Sequence, residues 1–538
     1  MGITKIDAAK MKELFLAGAR NIEANKDYIN ELNVFPVPDG DTGTNMTMTI
    51  MSAAREVEAL EEPDMKSLSK AISQGALRGA RGNSGVILSQ LFRGFTKALK
   101  GVDAIDSKVA AEAFARASET AYKAVMKPKE GTILTVARGM SERAADVLAG
   151  IDDLEEALKQ IIEYGDYILS ITPDMLPVLK QAGVVDSGGQ GLMSIMHGMY
   201  DCMTGAQPAV QKPAAAQESE QISRFMYSVK YVMRPLRSFE FSDRDKFIKY
   251  MSAIGEKVEC EKRYNIVCVS LYTDNPGLAL QKAVKYGIVS NIEIENLKEP
   301  DLLAAEESAA QQEEEQAPPK KTGFIAVSVG DGIDEIFREL GVDRIVKGGQ
   351  TNNPSTEDIL DAIGKVNAET IFVLPNNKNI FLAAQQAAQL TEDKKVMVVP
   401  SASIPQGIAA VINYIDGESD EENFDHMKEE MMNVRSAEIT YAVRDTTIDD
   451  KEIHKGDIMG IGDGSLVAVG KDIEETAAET VKQLMFDDAE VISIYYGADV
   501  EEEKAQALTD KVTELYPDCE VELNSGGQPT YYYIISVE

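Results

Sequence analysis

Apolar residues recur at three- and four-residue intervals over 11–25, 46–60, 86–99, 110–125, 133–148 and 154–171. That period gathers them on one face of a helix, so the chain to residue 204 is predicted to be helical, with short joints rich in Gly, Asp and Pro. The pattern then changes. From 222 to 305, strand-like runs (225–233, 264–271, 288–295) alternate with helical ones (243–254, 278–286) and predict a small α/β region. From 324 the order strand then helix repeats through 324–329, 333–340, 359–366, 370–374, 380–390, 395–399 and 408–414, which favours a parallel or mixed sheet. A helical span near 424–432 and strands at 438–443, 466–469, 491–496 and 531–537 extend the α/β pattern to the end.

Two segments, 205–221 and 306–323, combine low apolar content with Ala, Gln, Glu and Pro, and cannot bury enough side chain to offset their ordering entropy. Read as linkers, they divide the chain into a helical domain (1–204), a middle α/β domain (222–305) and a larger α/β domain (324–538). The fold class expected is therefore multidomain, α and α/β.

Charge narrows the function. Of 538 residues, 54 are Lys or Arg and 89 Asp or Glu, a formal charge of −35. Nucleic acid and anionic lipid surfaces bind by having their phosphates neutralised, so both drop out as expected partners. The four cysteines (Cys202, Cys260, Cys268, Cys519) show no metal or redox spacing. The beginning of the chain lacks the apolar core of a signal peptide, Ile6 stands where myristoylation wants Ser or Thr, and no apolar run approaches a bilayer span. A reduced, cytoplasmic protein without membrane insertion is expected.

The strongest local signal is Asn33-Val34-Phe35-Pro36-Val37-Pro38-Asp39-Gly40-Asp41-Thr42-Gly43-Thr44-Asn45-Met46 between two helices. Its prolines and glycines stiffen and bend a loop that holds Asp39 and Asp41 two residues apart, with Thr42, Thr44 and Asn45 behind them. Hard oxygens so close together suit Mg²⁺, which combines one or two carboxylates with water and nucleotide phosphates. The same residues also suit a helix-entry turn, with Asp41 or Thr42 as the cap and Asp39 solvated.

A second loop, Gly79-Ala80-Arg81-Gly82-Asn83-Ser84-Gly85, lets backbone approach a polyphosphate and leads into a helix whose N–H groups attract anions; it also suits a plain Gly-rich connection. It is not the Gly-x4-Gly-Lys spacing, and no strand precedes it. The loops 127–134 and 184–191 are polar and Gly-containing as well, and either can be a capped helix start. Four such joints line one end of a bundle if alternate joints face the same way, which suggests a nucleotide pocket. His197, His426 and His454 fall outside all four and read as surface or packing residues.

Asn33 to Met46, Gly79 to Gly85, Glu130 to Leu134 and Val184 to Leu192 resemble the ATP-binding domain of the dihydroxyacetone kinase L-subunit type. With Lys347-Gly348-Gly349-Gln350-Thr351-Asn352-Asn353-Pro354-Ser355-Thr356-Glu357-Asp358 downstream, nearly the whole chain is similar to the ATP-binding subunit of bacterial fatty acid kinase. The resemblance implies an eight-helix antiparallel barrel holding ATP and two Mg²⁺ ions, with Asp39 and Asp41 as metal ligands and catalytic residues. Thr42, Thr44 and Asn45 would contact phosphates or metal, Gly82, Asn83, Ser84 and Gly85 would cradle phosphates, and Thr132 and Asp186 would lie nearer the nucleoside or its phosphates. Asn33 stands where relatives carry a further metal carboxylate. A separate lipid-binding protein is implied as partner, presenting a fatty acid whose carboxylate becomes an acyl phosphate. An acceptor with a dihydroxyacetone-like hydroxyl, or a nucleotide-binding scaffold without transfer, are the alternatives.

In the middle domain relatives place Cys and His where this chain has Ser228, Ser270 and Tyr272, poor zinc ligands, so the resemblance leaves scaffolding and dimerisation there. Ser328-Val329-Gly330-Asp331-Gly332-Ile333 reads as a strand-to-helix turn. In 347–360, Ser355 or Thr356 is available to cap a helix, and Gln350, Asn352 and Asn353 face a partner or satisfy the loop backbone.

Overall fold

The computed structural model describes residues 2–34, 40–125, 127–205, 225–235, 241–263, 266–296, 318–349, 352–442, 445–448, 451–462 and 465–538. They fall into two compact units, 1–208 together with 319–538, and 209–318.

Among the described residues, eight long helices build the amino-terminal part of the first unit: α1 (Ala8–Ala24), α2 (Thr42–Glu58), α3 (Met65–Arg78), α4 (Gly82–Ala98), α5 (Ser107–Ala124), α6 (Ile133–Leu148), α7 (Leu154–Ser170) and α8 (Ser187–Thr204). Each turns an apolar stripe inward. Phe15, Met46, Ile50, Leu68, Ile72, Leu88, Met140, Ile161 and Met193 meet in one buried core. Helices adjacent in sequence pack side by side and α8 returns against α1, which closes the ring.

Two of these helices go beyond the sequence reading. α3 is set by a capping box, Asp64 Oδ1 accepting from Ser67 N–H at 2.6 Å and Ser67 Oγ from Asp64 N–H at 3.1 Å. α8 starts through Ser187-Gly188-Gly189-Gln190-Gly191, a poor helix former by propensity alone. Packing accounts for two of its glycines: a Cβ on Gly191 would stand 2.6 Å from Met46 Sδ of α2, and one on Gly198 would stand 2.8 Å from the Ala17 carbonyl oxygen of α1.

The second unit is an antiparallel sheet of β1 (Tyr227–Pro235), β2 (Gly255–Arg263), β3 (Ile266–Thr273) and β4 (Gly287–Asn296), in the order β2-β3-β1-β4, with helices α9 (Phe241–Ile254) and α10 (Pro276–Val284). Val229, Tyr231, Met233, Phe247, Met251, Val267 and Val269 form its core, and Cys260 is buried there, which raises its thiol pKa. The sequence reading missed β2 because Glu256, Glu259, Glu261, Lys262 and Arg263 break the apolar signal; as an edge strand it can carry those charges.

Among the described residues, the remainder of the first unit has two larger sheets and a two-stranded antiparallel pair, Thr446–Ile448 with Lys451–Ile453. The first, all parallel, contains β5 (Lys320–Ser328), β6 (Arg344–Lys347), β7 (Ala368–Leu374) and β8 (Lys395–Val398) in the order β8-β7-β5-β6. Helices α11 (Asp331–Glu339), α12 (Thr356–Lys365), α13 (Phe381–Leu390) and α14 (Ile404–Ile412) connect or follow these strands. β5 begins inside the segment read as a linker: Lys320 is exposed at the strand's start, but its N–H bonds Asn367 O at 3.0 Å, so backbone pairing orders a stretch that composition could not. After helix α15 (Asp420–Met431), strands β9 (Arg435–Tyr441), β10 (Ile458–Gly462), β11 (Ser465–Gly470), β12 (Val491–Tyr496), β13 (Glu520–Ser525) and β14 (Tyr533–Val537) form a mixed sheet in the order β11-β10-β9-β14-β12-β13. The Ser328 to Ile333 segment is the strand-to-helix turn read from sequence, Gly330 taking φ +107 ahead of α11.

Candidate nucleotide site

Helices α2, α4, α6 and α8 alternate around the ring, and their amino-terminal turns come together at one end. Thr42 Oγ1 lies 3.2 Å from Ser187 Oγ, joining α2 to α8. Gly82, with φ +58, sits against Asn45, where a Cβ would meet Asn45 Nδ2 at 2.5 Å. A Cβ on Gly188 would lie 3.2 Å from Ile133 Cβ, which ties α8 to α6. Each amino-terminal turn leaves backbone N–H groups without helical acceptors and carries the positive end of a helix dipole. Four of them at one end form a site for a polyanion.

The loops read from sequence are shorter than expected. Thr42, Thr44 and Asn45 occupy the first turn of α2, Gly82, Asn83, Ser84 and Gly85 the first turn of α4, and Ser187 to Gly191 that of α8. Asp39 lies outside the described residues.

Capping of α2 does not fall to Asp41 or Thr42. Asn33, 1% exposed, accepts at Oδ1 from the N–H groups of Asp41 (3.0 Å) and Thr42 (3.2 Å). Asn30 accepts from Thr44 N–H through Oδ1 and donates through Nδ2 to Thr44 Oγ1, both at 3.0 Å. Two asparagines from the preceding turn thus hold the start of α2, and the Asp41 carboxylate caps nothing on its own helix. Its Oδ2 accepts from Asn353 Nδ2 at 2.6 Å instead.

Asp186 is different. It is 5% exposed, caps α8 by accepting from Gly189 N–H at 2.7 Å, and donates its own N–H to Thr172 Oγ1 at 3.1 Å. Burial pushes its pKa up to about 6, against the pull of the Gly189 and Ile133 backbone N–H groups. Thr132 heads α6, its hydroxyl donating to Lys129 O at 2.8 Å. Beside it Glu130 accepts from both terminal nitrogens of Arg138 at 2.7 Å, which holds its carboxyl below the ordinary range. Arg81, not singled out in the sequence, stands directly before α4 with its N–H on Thr49 Oγ1 at 3.3 Å; its position between Ala80 and Gly82 was the available signal.

Among the described residues no group of three or more His, Cys, Asp or Glu converges as a metal cluster. The donors at this end, the Asp41 carboxylate and the threonine hydroxyls, have the oxygen chemistry that suits Mg²⁺, and helix-start N–H groups suit the phosphates that share it. Of the histidines, His197 pairs with Asp166 at 3.1 Å, which raises its pKa.

Three family models match the chain: the DAK2 domain over 36–201, the FakA-like fatty acid kinase middle domain over 224–301, and the FakA-like C-terminal domain over 323–538. Protein YloV of Bacillus subtilis is 38% identical over the full length of both chains. The chain belongs to the FakA-like fatty acid kinase family. It is thus of the kinase type, a phosphotransferase lineage, built from a DAK2 domain and two domains of this family. The uncharacterized protein SSP1546 of Staphylococcus saprophyticus is 40% identical, again over the full length of both chains. Among solved structures, the dihydroxyacetone kinase of C. freundii in complex with AMP-PNP and Mg²⁺ matches with TM-score 0.30 and 15% identity, covering 40% of this chain and 48% of that one. The linoleic-acid-loaded Fak B3 protein of Streptococcus pneumoniae matches with TM-score 0.28 and 14% identity, covering 40% and 99%. No helix among the described residues is long and apolar enough to cross a membrane.

Proposed function

We propose that this chain is the ATP-binding component of a two-protein kinase that phosphorylates the carboxylate of a fatty acid presented by a separate lipid-binding protein. The observation that carries the reading is the meeting of four helix amino-termini around Asp41, in the domain that the DAK2 model matches. Asp41, with Asp39, would hold the two Mg²⁺ ions. When bound, these supply charge neutralisation on the β- and γ-phosphates. The first-turn N–H groups of α4, which no side chain caps, orient the triphosphate, Thr42 and Asn45 line it, and Gly82 to Gly85 let the backbone approach closely. Thr132 and Asp186 stand beside the nucleoside end, Asp186 holding the start of α8 in place.

A fatty acid carboxylate has a reference pKa near ~4 and is ionised at neutral pH, so the chain need provide no general base. One carboxylate oxygen forms a bond to the γ-phosphorus as the bond from that phosphorus to the β,γ-bridging oxygen breaks. The products are acyl phosphate and ADP, the electron pair of the broken bond staying on ADP. We place the protein in the cytoplasm and the middle domain at a homodimer contact.

The test incubates the purified chain with ATP, Mg²⁺ and a lipid-loaded binding protein and traps product with hydroxylamine. Acyl hydroxamate is the expected outcome. A phosphorylated dihydroxyacetone in a parallel reaction, with no hydroxamate, moves the acceptor to a small hydroxyl compound. Nucleotide binding without transfer to either acceptor makes the chain a scaffold.

A further inference from the structure

Three side chains at this end of the ring, Asp41, Arg81 and Asn83, are met by the carboxyl-edge turns of the parallel sheet. Asp41 Oδ2 accepts from Asn353 Nδ2 at 2.6 Å. Arg81 donates through Nη1 to Asn353 O at 2.9 Å, and its Nη2 lies 3.5 Å from Asp358 Oδ2. Asn83 Nδ2 donates to Asn379 Oδ1 at 3.1 Å. Asn353 and Asp358 flank the start of α12, which Ser355 and Asp358 close as a capping box; Asn379 precedes α13.

Behind these contacts lies a built interface. Ala80 and Val86 share a buried cluster with Ile359, Ile363, Ala383 and Ala387. Thr356 N–H bonds Ala80 O at 3.0 Å, Gln386 Nε2 donates to Leu77 O at 2.6 Å, and Gln90 Nε2 donates to Gln386 Oε1 at 2.8 Å. Two features are those of an interface that can part. Buried polar groups, Gln90, Gln386 and Thr356, stand beside its apolar cluster, as in transient interfaces. Asn353 is also 3% exposed, and its Oδ1 has no hydrogen-bond partner among the described residues, an unmet acceptor that disfavours the closed contact.

We propose that this end of the helical ring is a protein-docking surface whose resident occupant is the chain's own 353–386 segment, and that an acceptor-bearing protein reaches the nucleotide by displacing it. The proposal rests on the kinase reading above. The physical reason is competition for the same groups: the carboxylate oxygen on Asn353, the guanidinium on Asn353 and Asp358, and the amide on Asn379 are those that a cation and phosphates also require. The incoming partner must offer comparable chemistry, side-chain amides and a carboxylate-capped helix start.

Hydrogen exchange on the full chain, with and without Mg²⁺ and a non-hydrolysable ATP analogue, tests this. Gln386→Lys and Gln90→Lys break the contact from opposite sides, and Asp358→Lys does so at the rim without burying a charge. Each variant is expected to speed exchange at 79–90 and 353–386 at least tenfold and to bind the analogue at least threefold more tightly. In the wild type, the analogue is expected to speed exchange at 353–358. Unchanged exchange in all three variants, weaker analogue binding, or added protection of 353–358 by the analogue overturns the proposal. If the variants open while neither they nor the wild type binds the analogue, the kinase reading falls and the docking surface stands.

Discussion

Two aspartates head two helices at the same end of the ring, and they are held in opposite ways. Asp186 caps its own helix, is buried, and has a pKa pushed up to about 6. Asp41 caps nothing on its own helix because Asn33 does that for it, and its carboxylate reaches the opposite layer at Asn353. An aspartate before a helix is usually a cap. Where a neighbouring asparagine takes over the capping, the carboxylate turns to another partner, here Asn353. Where none does, it is a structural group whose charge the fold barely tolerates.

The largest test of that contrast is Asp41→Asn, expected to lower phosphotransfer on the order of 100-fold, as loss of a charged group at a transferring phosphate does, while the melting temperature stays within a few degrees. Hydroxylamine trapping and a thermal scan check both halves, and a variant that keeps full turnover breaks the comparison. Asn33→Ala should act on stability instead: two N–H groups at the start of α2 lose their acceptor, costing about 1–3 kcal/mol in denaturant unfolding.

Asp186→Asn sharpens the other side. Because burial raises the folded pKa above the ordinary value, the stability tied to this group is complete below about pH 4 and lost as pH rises through about 6. The asparagine variant should flatten stability between those values, measured by unfolding at several pH values; an unchanged slope would show the carboxyl titrates normally. Glu130 runs the opposite way. Arg138 lowers its pKa, so its contribution is present above the ordinary carboxylate range and lost on acidification through the folded value. The pair is half exposed, and Glu130→Gln should cost only about 0.5 kcal/mol at neutral pH, readable in the same titration.

Much of this was legible beforehand. The three- and four-residue apolar period located six of the eight long ring helices, and the alternation beyond 324 announced the parallel sheet. The four joints were read as lining one end of a bundle if alternate joints face the same way; in the structure Thr42 meets Ser187 and Gly82 sits against Asn45. What escaped were segments whose local signal contradicts their state: α8, whose glycines pack closely against neighbouring helices, and β2 and the start of β5, whose charges are carried by edge or exposed positions. The pairing of Arg81 with Asn353 escaped for another reason: 272 positions separate them, and no periodicity reports such a contact.

Sequence alone determined the helical period and the net charge of −35, because each depends on neighbours within a few residues or on composition. Which aspartate caps, which carboxylate rises in pKa, and which groups of the ring end are engaged by the sheet were decided only by tertiary structure, because burial and hydrogen-bond competition depend on what packs against a residue from far along the chain.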